Sequence, residues 1–209
     1  MKQFYKGIDF YNEIGEILID DYLIPAFKTG KNIIFEELHL DKINKYKRYK
    51  SETNIKKFIN DFRMFSTYEI NEKLNKLDNE EKEFLLDIVS NVIDLNDRYQ
   101  ILVLSYLAKE FIENQRLIFW QKSLYYNIKT LSENDFMSFI DIIETSEEKP
   151  SSDKHFILTS LNKEQEIVKD KFINLGILHP DGNRMYGKNI NFQMPEHAVN
   201  FYNVLKQLG

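Results

Sequence analysis

Four histidines could carry chemistry: His39, His155, His179 and His197. Imidazole is the commonest metal ligand and the side chain best suited to moving protons near neutral pH. None of the four stands three or four residues from another, and HExxH is absent, so no helix face presents a ligand pair. A zinc site would need ligands converging from separate parts of the chain. The expectation is histidines that lie at the surface or make one hydrogen bond each. Cysteine is absent, which excludes thiolate zinc sites, iron–sulfur clusters, disulfides and thiol nucleophiles. GxGxxG, GxxxxGK[ST] and GxSxG are missing too, so neither a familiar phosphate cradle nor a nucleophile elbow is present.

Carboxylates occur in pairs: Asp20–Asp21, Glu36–Glu37, Glu80–Glu81, Glu147–Glu148, and Asp94 with Asp97. Two acids hold Mg²⁺ or cleave a glycosidic bond only when both face one pocket. Adjacent acids on a helix diverge. Asp94 and Asp97 fall where one helix stops and the next begins, and Asp97 reads as a cap. We expect structural roles, and no catalytic residue, cofactor or metal is assigned.

The strongest electrostatic feature is KINKYKRYKSETNIKK. Residues 41–63 hold eight Lys/Arg against three acids, a local +5 in a chain of net charge −5. Lys45, Tyr46, Arg48, Tyr49 and Lys50 interleave cations with aromatics. Cations neutralise phosphates and tyrosines stack on bases. An anionic membrane surface would attract the same segment. The plainer reading is a solvated helix whose tyrosines pack on the core. It could also lie against residues 66–97, which hold nine acids and three lysines.

The elements that must position these residues are mostly helices. The chain has 209 residues, 43% of them hydrophobic, enough for a proper core. Only 7 Gly and 4 Pro leave few turns, which argues against sandwiches and barrels. Helices are read at Ile8–Leu23, then over Asp41–Tyr49, then from a Ser51 cap with Ile55, Phe58, Ile59, Phe62 and Phe65 on one stripe. Thr67, Asp78, Asn96 or Asp97, and Ser132 with Asp135 are read as further helix starts. RLIFWQKSLYYNI is apolar on more than one face, and we expect Trp120 to be buried centrally. TSEEKPSSDK breaks the pattern. After it come a short apolar run, a helix ended by Gly176, a turn at Pro180–Asn183, a period-two strand through Phe192, and a helix with Pro195 in its first turn.

The order helix, strand, hairpin, strand, helix over Ile167–Leu208, with NLGIL running into a strand, resembles a winged-helix module. LDNEEKEFLLDIVSNVID followed by YQILVLSYLAKEFIENQ and LSENDF loosely resembles the helical TerB-like (tellurite-resistance-associated) domains. The first resemblance implies DNA binding or protein contact through the third helix and a wing bearing Arg184, Tyr186 and Lys188. The second implies signalling or stress roles.

The expected fold is mainly α: a multi-helix bundle at 1–146, a linker at 147–154 and a winged-helix-like module at 155–209. No signal peptide and no membrane span is read, so a cytoplasmic protein is expected. The Ile-, Lys-, Asn- and Tyr-rich composition suits a low-GC bacterium or its phage. The expected function is non-enzymatic protein–protein interaction or regulation with a protein partner. The rival is a DNA-binding transcriptional regulator using segment 41–63 and the wing. An enzyme built from scattered acids is a third class.

Overall fold

The computed structural model describes residues 45–65, 68–74, 76–148, 155–158, 163–180 and 190–208. The helix expected at Ile8–Leu23, the Thr67 cap, residues 149–154 of the linker and the turn residues 181–183 lie outside the described residues. The chain is mainly helical. The helices are α1 (Lys45–Phe65), α2 (Tyr68–Leu74), α3 (Asn79–Ile93), α4 (Arg98–Asn114), α5 (Phe119–Asn127), α6 (Glu133–Thr145), α7 (Lys163–Asn174) and α8 (Glu196–Leu205). The strands are β1 (Glu147–Glu148), β2 (His155–Leu158), β3 (His179–Pro180) and β4 (Ile190–Gln193). Two compact units result, Met1–Asn96 with Leu104–Leu117, and Asp97–Val103 with Ile118–Gly209.

In the first unit α1 is one unbroken helix of 21 residues. Ser51 is therefore not a cap: it is buried inside the helix. No Gly or Pro interrupts the backbone there, and burial of the continuing stripe outweighs serine's preference for a terminus. Ile55, Phe58, Ile59 and Phe62 are all buried, and α1 packs on α3. Burying each such side chain stabilises by about 1.5–3 kcal/mol.

The start of α3 carries the expected Asp78 cap. Glu81 N–H donates to Asp78 Oδ1 and Asp78 N–H to Glu81 Oε2, both at 2.9 Å. Its C-terminus leaves carbonyls without helical partners. Asn54 of α1 fills that need, its Nδ2 donating to the carbonyls of Leu95 at 2.7 Å and Val92 at 3.2 Å. Lys50 Nζ reaches the Asp94 carbonyl and Asn96 Oδ1 at the same helix end, where the macrodipole favours a cation.

In the second unit Asp97 caps α4, accepting from Tyr99 N–H at 2.8 Å. Gln100 is buried, and its Nε2 donates to the carbonyls of Leu131 at 2.6 Å and Ile128 at 3.1 Å. That ties α4 to the turn between α5 and α6. Ser132 and Asp135 cap α6 reciprocally. From α7 to α6, Gln165 Nε2 donates to Asp141 Oδ2 at 2.7 Å and Lys171 Nζ to Asp135 Oδ1 at 2.6 Å.

Phe136 and Phe139 of α6, Phe172 of α7 and Phe201 of α8 form one fully buried cluster. The Phe139 and Phe172 rings lie 4.3 Å apart. The boundary expected at 147–154 therefore falls inside this unit, because α6 shares a core with the elements after it.

The sheet order is β1-β2-β4-β3, every pair antiparallel. Phe192 and Met194 are buried, as the period of two requires. The end of α7 curls through Gly176 at φ 75°, where Gly176 N–H donates to the Ile173 carbonyl and Ile177 N–H to the Phe172 carbonyl. Only glycine takes this left-handed turn without penalty. Pro195 is the cap of α8 and not its first helical residue, its extended ψ of 164° keeping it outside the helix.

Candidate functional site

Helix α5 resolves the block that reads as apolar all round. Its spacing sends Leu117, Trp120, Leu124 and Tyr125 inward, all buried. Phe119 and Tyr126 stand seven residues apart on the opposite side and are 78% and 76% exposed. Lys122 stands between them on the same stripe and is also exposed. Ile118, at the N-cap, is exposed too.

The stripe is held firmly. Ile118 N–H donates to Gln121 Oε1 at 2.9 Å, closing the first turn. Trp120 stacks on His197 at 5.1 Å between ring centres and meets Phe201 at 6.2 Å. Its Nε1 is buried with no hydrogen-bond partner among the described residues, and ring contacts hold the indole there. The expectation of a central Trp120 holds, but two aromatics beside it face water. The sequence signal that separates them is Lys122: a lysine within an apolar block marks the face that stays in solvent.

The basic segment is arranged differently from the simplest expectation. Tyr49 is 70% exposed, so it does not pack on the core. Lys50 is turned to the end of α3. Lys56, Lys57 and Arg63 are exposed. The backbone puts Lys45, Tyr46 and Arg48 at the start of α1, while their side chains lie outside the described residues. Helix α1, which carries the described part of the basic segment, packs on α3, which belongs to the acidic stretch, and the buried face of α1 is the apolar one. Arg184, Tyr186 and Lys188 lie outside the described residues.

On α7 two of the three lysines are engaged by carboxylates. Lys169 is buried beside Asp170, with 3.3 Å between Nζ and Oδ1. Lys171 binds Asp135. Burial opposes the charge on Asp135, but hydrogen bonds from Lys171 and Ser132 outweigh it and hold the carboxyl below the usual range. The outward face of α7 carries Lys163, Glu164, Glu166, Ile167 and Asp170.

At the end of α6 the Glu144 carboxylate accepts from Lys206 Nζ at 2.6 Å and Tyr202 OH at 3.1 Å, which lowers its pKa. Among the described residues, no group of three or more His, Asp or Glu is placed to hold a metal ion, and no helix is long and apolar enough to cross a membrane. His39 lies outside the described residues, His179 is exposed, and His197 makes one hydrogen bond, to the Gly176 carbonyl. No family model, no curated protein and no solved structure matches this chain.

Proposed function

We propose that this chain is a non-enzymatic protein–protein interaction or regulatory accessory factor that engages its partner through α5. The observation that carries this is the exposed pair Phe119 and Tyr126, presented from a helix whose other face is fixed in the core. Solvent-facing aromatics on a rigid element are the residue types that dominate binding energy at interfaces. Lys122 between them favours a partner that sets a carboxylate against apolar side chains.

The C-terminal elements are read as a winged-helix-like module. The order β2-β4-β3, with α7 between β2 and β3, supports that reading. Its use for protein contact, and not for DNA, is supported by the charge on α7. The helix that would enter the groove faces outward with three acids and one lysine, and these acids repel phosphate.

The test is a pull-down from the native host with the whole chain and with the Phe119→Ala/Tyr126→Ala double variant. A stoichiometric partner is expected with the first and lost with the second. Either aromatic alone should contribute about 2 kcal/mol, roughly thirtyfold in affinity. Failure to recover any stoichiometric partner defeats the proposal.

The DNA-binding reading is favoured by one observation, the exposed Tyr49 beside Lys56 and Lys57 on α1. It requires steep, salt-dependent binding to duplex or single-stranded nucleic acid, lost on changing Lys45, Arg48 and Lys50 to Ala.

A further inference from the structure

Residues i, i+3, i+4 and i+7 of a helix frame the hole that receives one side chain from a facing helix. On α5 these positions are Phe119, Lys122, Ser123 and Tyr126. Phe119, Lys122 and Tyr126 face solvent and Ser123 is half-buried. The two aromatics stand roughly 10 Å apart along the axis, at 1.5 Å per residue, and the short serine leaves the floor between them low. The charge around the hole has one sign. Residues 118–132 hold Lys122 and Lys129, both exposed, and no acid, in a chain with 33 Asp and Glu. A side chain that fits this hole is aliphatic and has carboxylates beside it on its own helix.

The same unit presents such a side chain. Ile167 of α7 is 60% exposed. At 100° per residue, Glu164 lies on one flank of it and Glu166 and Asp170 on the other, all of them exposed. Asp170 answers Lys169 of its own helix. Glu164 and Glu166 are then the carboxylates that suit lysines of another helix. Ile167 and the hole are both open to solvent, so neither fills the other within one molecule. The two helices do adjoin. The Phe119 ring lies against Gly176, just past the end of α7, where a Cβ would meet it at 3.5 Å. A twofold axis between the two faces sets α5 of each copy on α7 of the other, and the contact closes as a pair instead of running on as a filament. Packing α5 on a second α5 would set Lys122 against Lys122, which repels.

We propose that the chain pairs with a second copy of itself, Ile167 of each copy entering the hole between Phe119 and Tyr126 of the other, with Glu164 and Glu166 set against Lys122 and Lys129. This rests on the reading of α5 as a partner-binding face and names the partner.

The purified full chain is followed by sedimentation equilibrium over a range of concentrations, at low and moderate salt. A monomer–dimer equilibrium is expected, weakened by salt. Phe119→Ala/Tyr126→Ala and Ile167→Asp should each raise the dissociation constant by about tenfold or more. All three residues are exposed, so the thermal melt of the monomer should hold. Charge reversal gives the sharper test. Chains with Lys122→Glu/Lys129→Glu, and chains with Glu164→Lys/Glu166→Lys, should each be monomeric alone. Mixed, they should pair, because both contacts of the mixed dimer regain opposite charges. A chain that stays monomeric at every concentration overturns the proposal, as does a dimer indifferent to Ile167→Asp or a mixture that does not associate. If the chain is monomeric but a host protein is still captured, and lost with Phe119→Ala/Tyr126→Ala, the self-pairing falls and the α5 reading stands. A dimer indifferent to that double variant, with no host protein captured, defeats both.

Discussion

Asp135 joins two tasks in one carboxylate. It closes the cap of α6 with Ser132, it anchors Lys171 of α7, and it does both while buried. Its folded pKa is lowered, with burial opposing and the Lys171 and Ser132 hydrogen bonds prevailing. The stabilisation it gives is therefore complete above the ordinary carboxylate range and is lost as pH falls through the lowered value. Thermal melts from neutral pH into strong acid should show Asp135→Asn well below the parent at neutral pH, the two curves converging in acid. A gap that does not change with pH would contradict this. The cap half of the role was legible from Ser132 and Asp135 alone. The ion pair was not, because Lys171 is 36 residues away and only the packing of α7 on α6 brings it there. Tyr49 shows the opposite limit. Its spacing from Tyr46 suggested core packing, but burial depends on which side of α1 meets α3.

Helices were legible where their ends carry chemistry. Asp78, Asp97 and Ser132 mark starts by side chains that bond the first free N–H groups, and all three cap as read. Ser132→Ala should cost about 1 kcal/mol, measured by denaturant midpoint. Ser51 misled because the same residue type inside a long amphipathic stretch is overruled by burial. Gly176 was legible from its position after the last periodic residue of α7. A Cβ there would sit 3.5 Å from Phe119 and Trp120, an ordinary contact, so Gly176→Ala should fail only through its left-handed backbone. The expected loss is about 1–2 kcal/mol, read by chemical denaturation. On α5 the outward stripe was present in the spacing of Phe119, Lys122 and Tyr126, but it was hidden by the apolar residues that interleave with it.

At the scale of the chain, charge asymmetry and core sharing decide what can act alone. Helix α1 of the +5 segment packs on α3 of the acidic stretch, and α7 turns acids outward. Titration against duplex and single-stranded nucleic acid at low and moderate salt is therefore expected to show no steep salt-dependent binding. The division of the chain was the least legible property. TSEEKPSSDK reads as a boundary by composition, but Phe136 and Phe139 before it and Phe172 and Phe201 after it fill one cluster. A fragment of residues 147–209 would expose Phe172 and strip Lys171 of its carboxylate. It should show no cooperative melt by circular dichroism, whereas the whole chain should. A fully cooperative fragment would restore the compositional boundary.

The sheet also limits how a partner can attach. Its two outermost strands, β1 and β3, are two residues each, one of them Glu147–Glu148 and the other ending in Pro180. Proline has no N–H to donate, and paired carboxylates discourage a strand from laying alongside. Neither border offers a template for β-augmentation or for fibrillar stacking by another chain. Association of another chain through main-chain hydrogen bonding is disfavoured at both described borders.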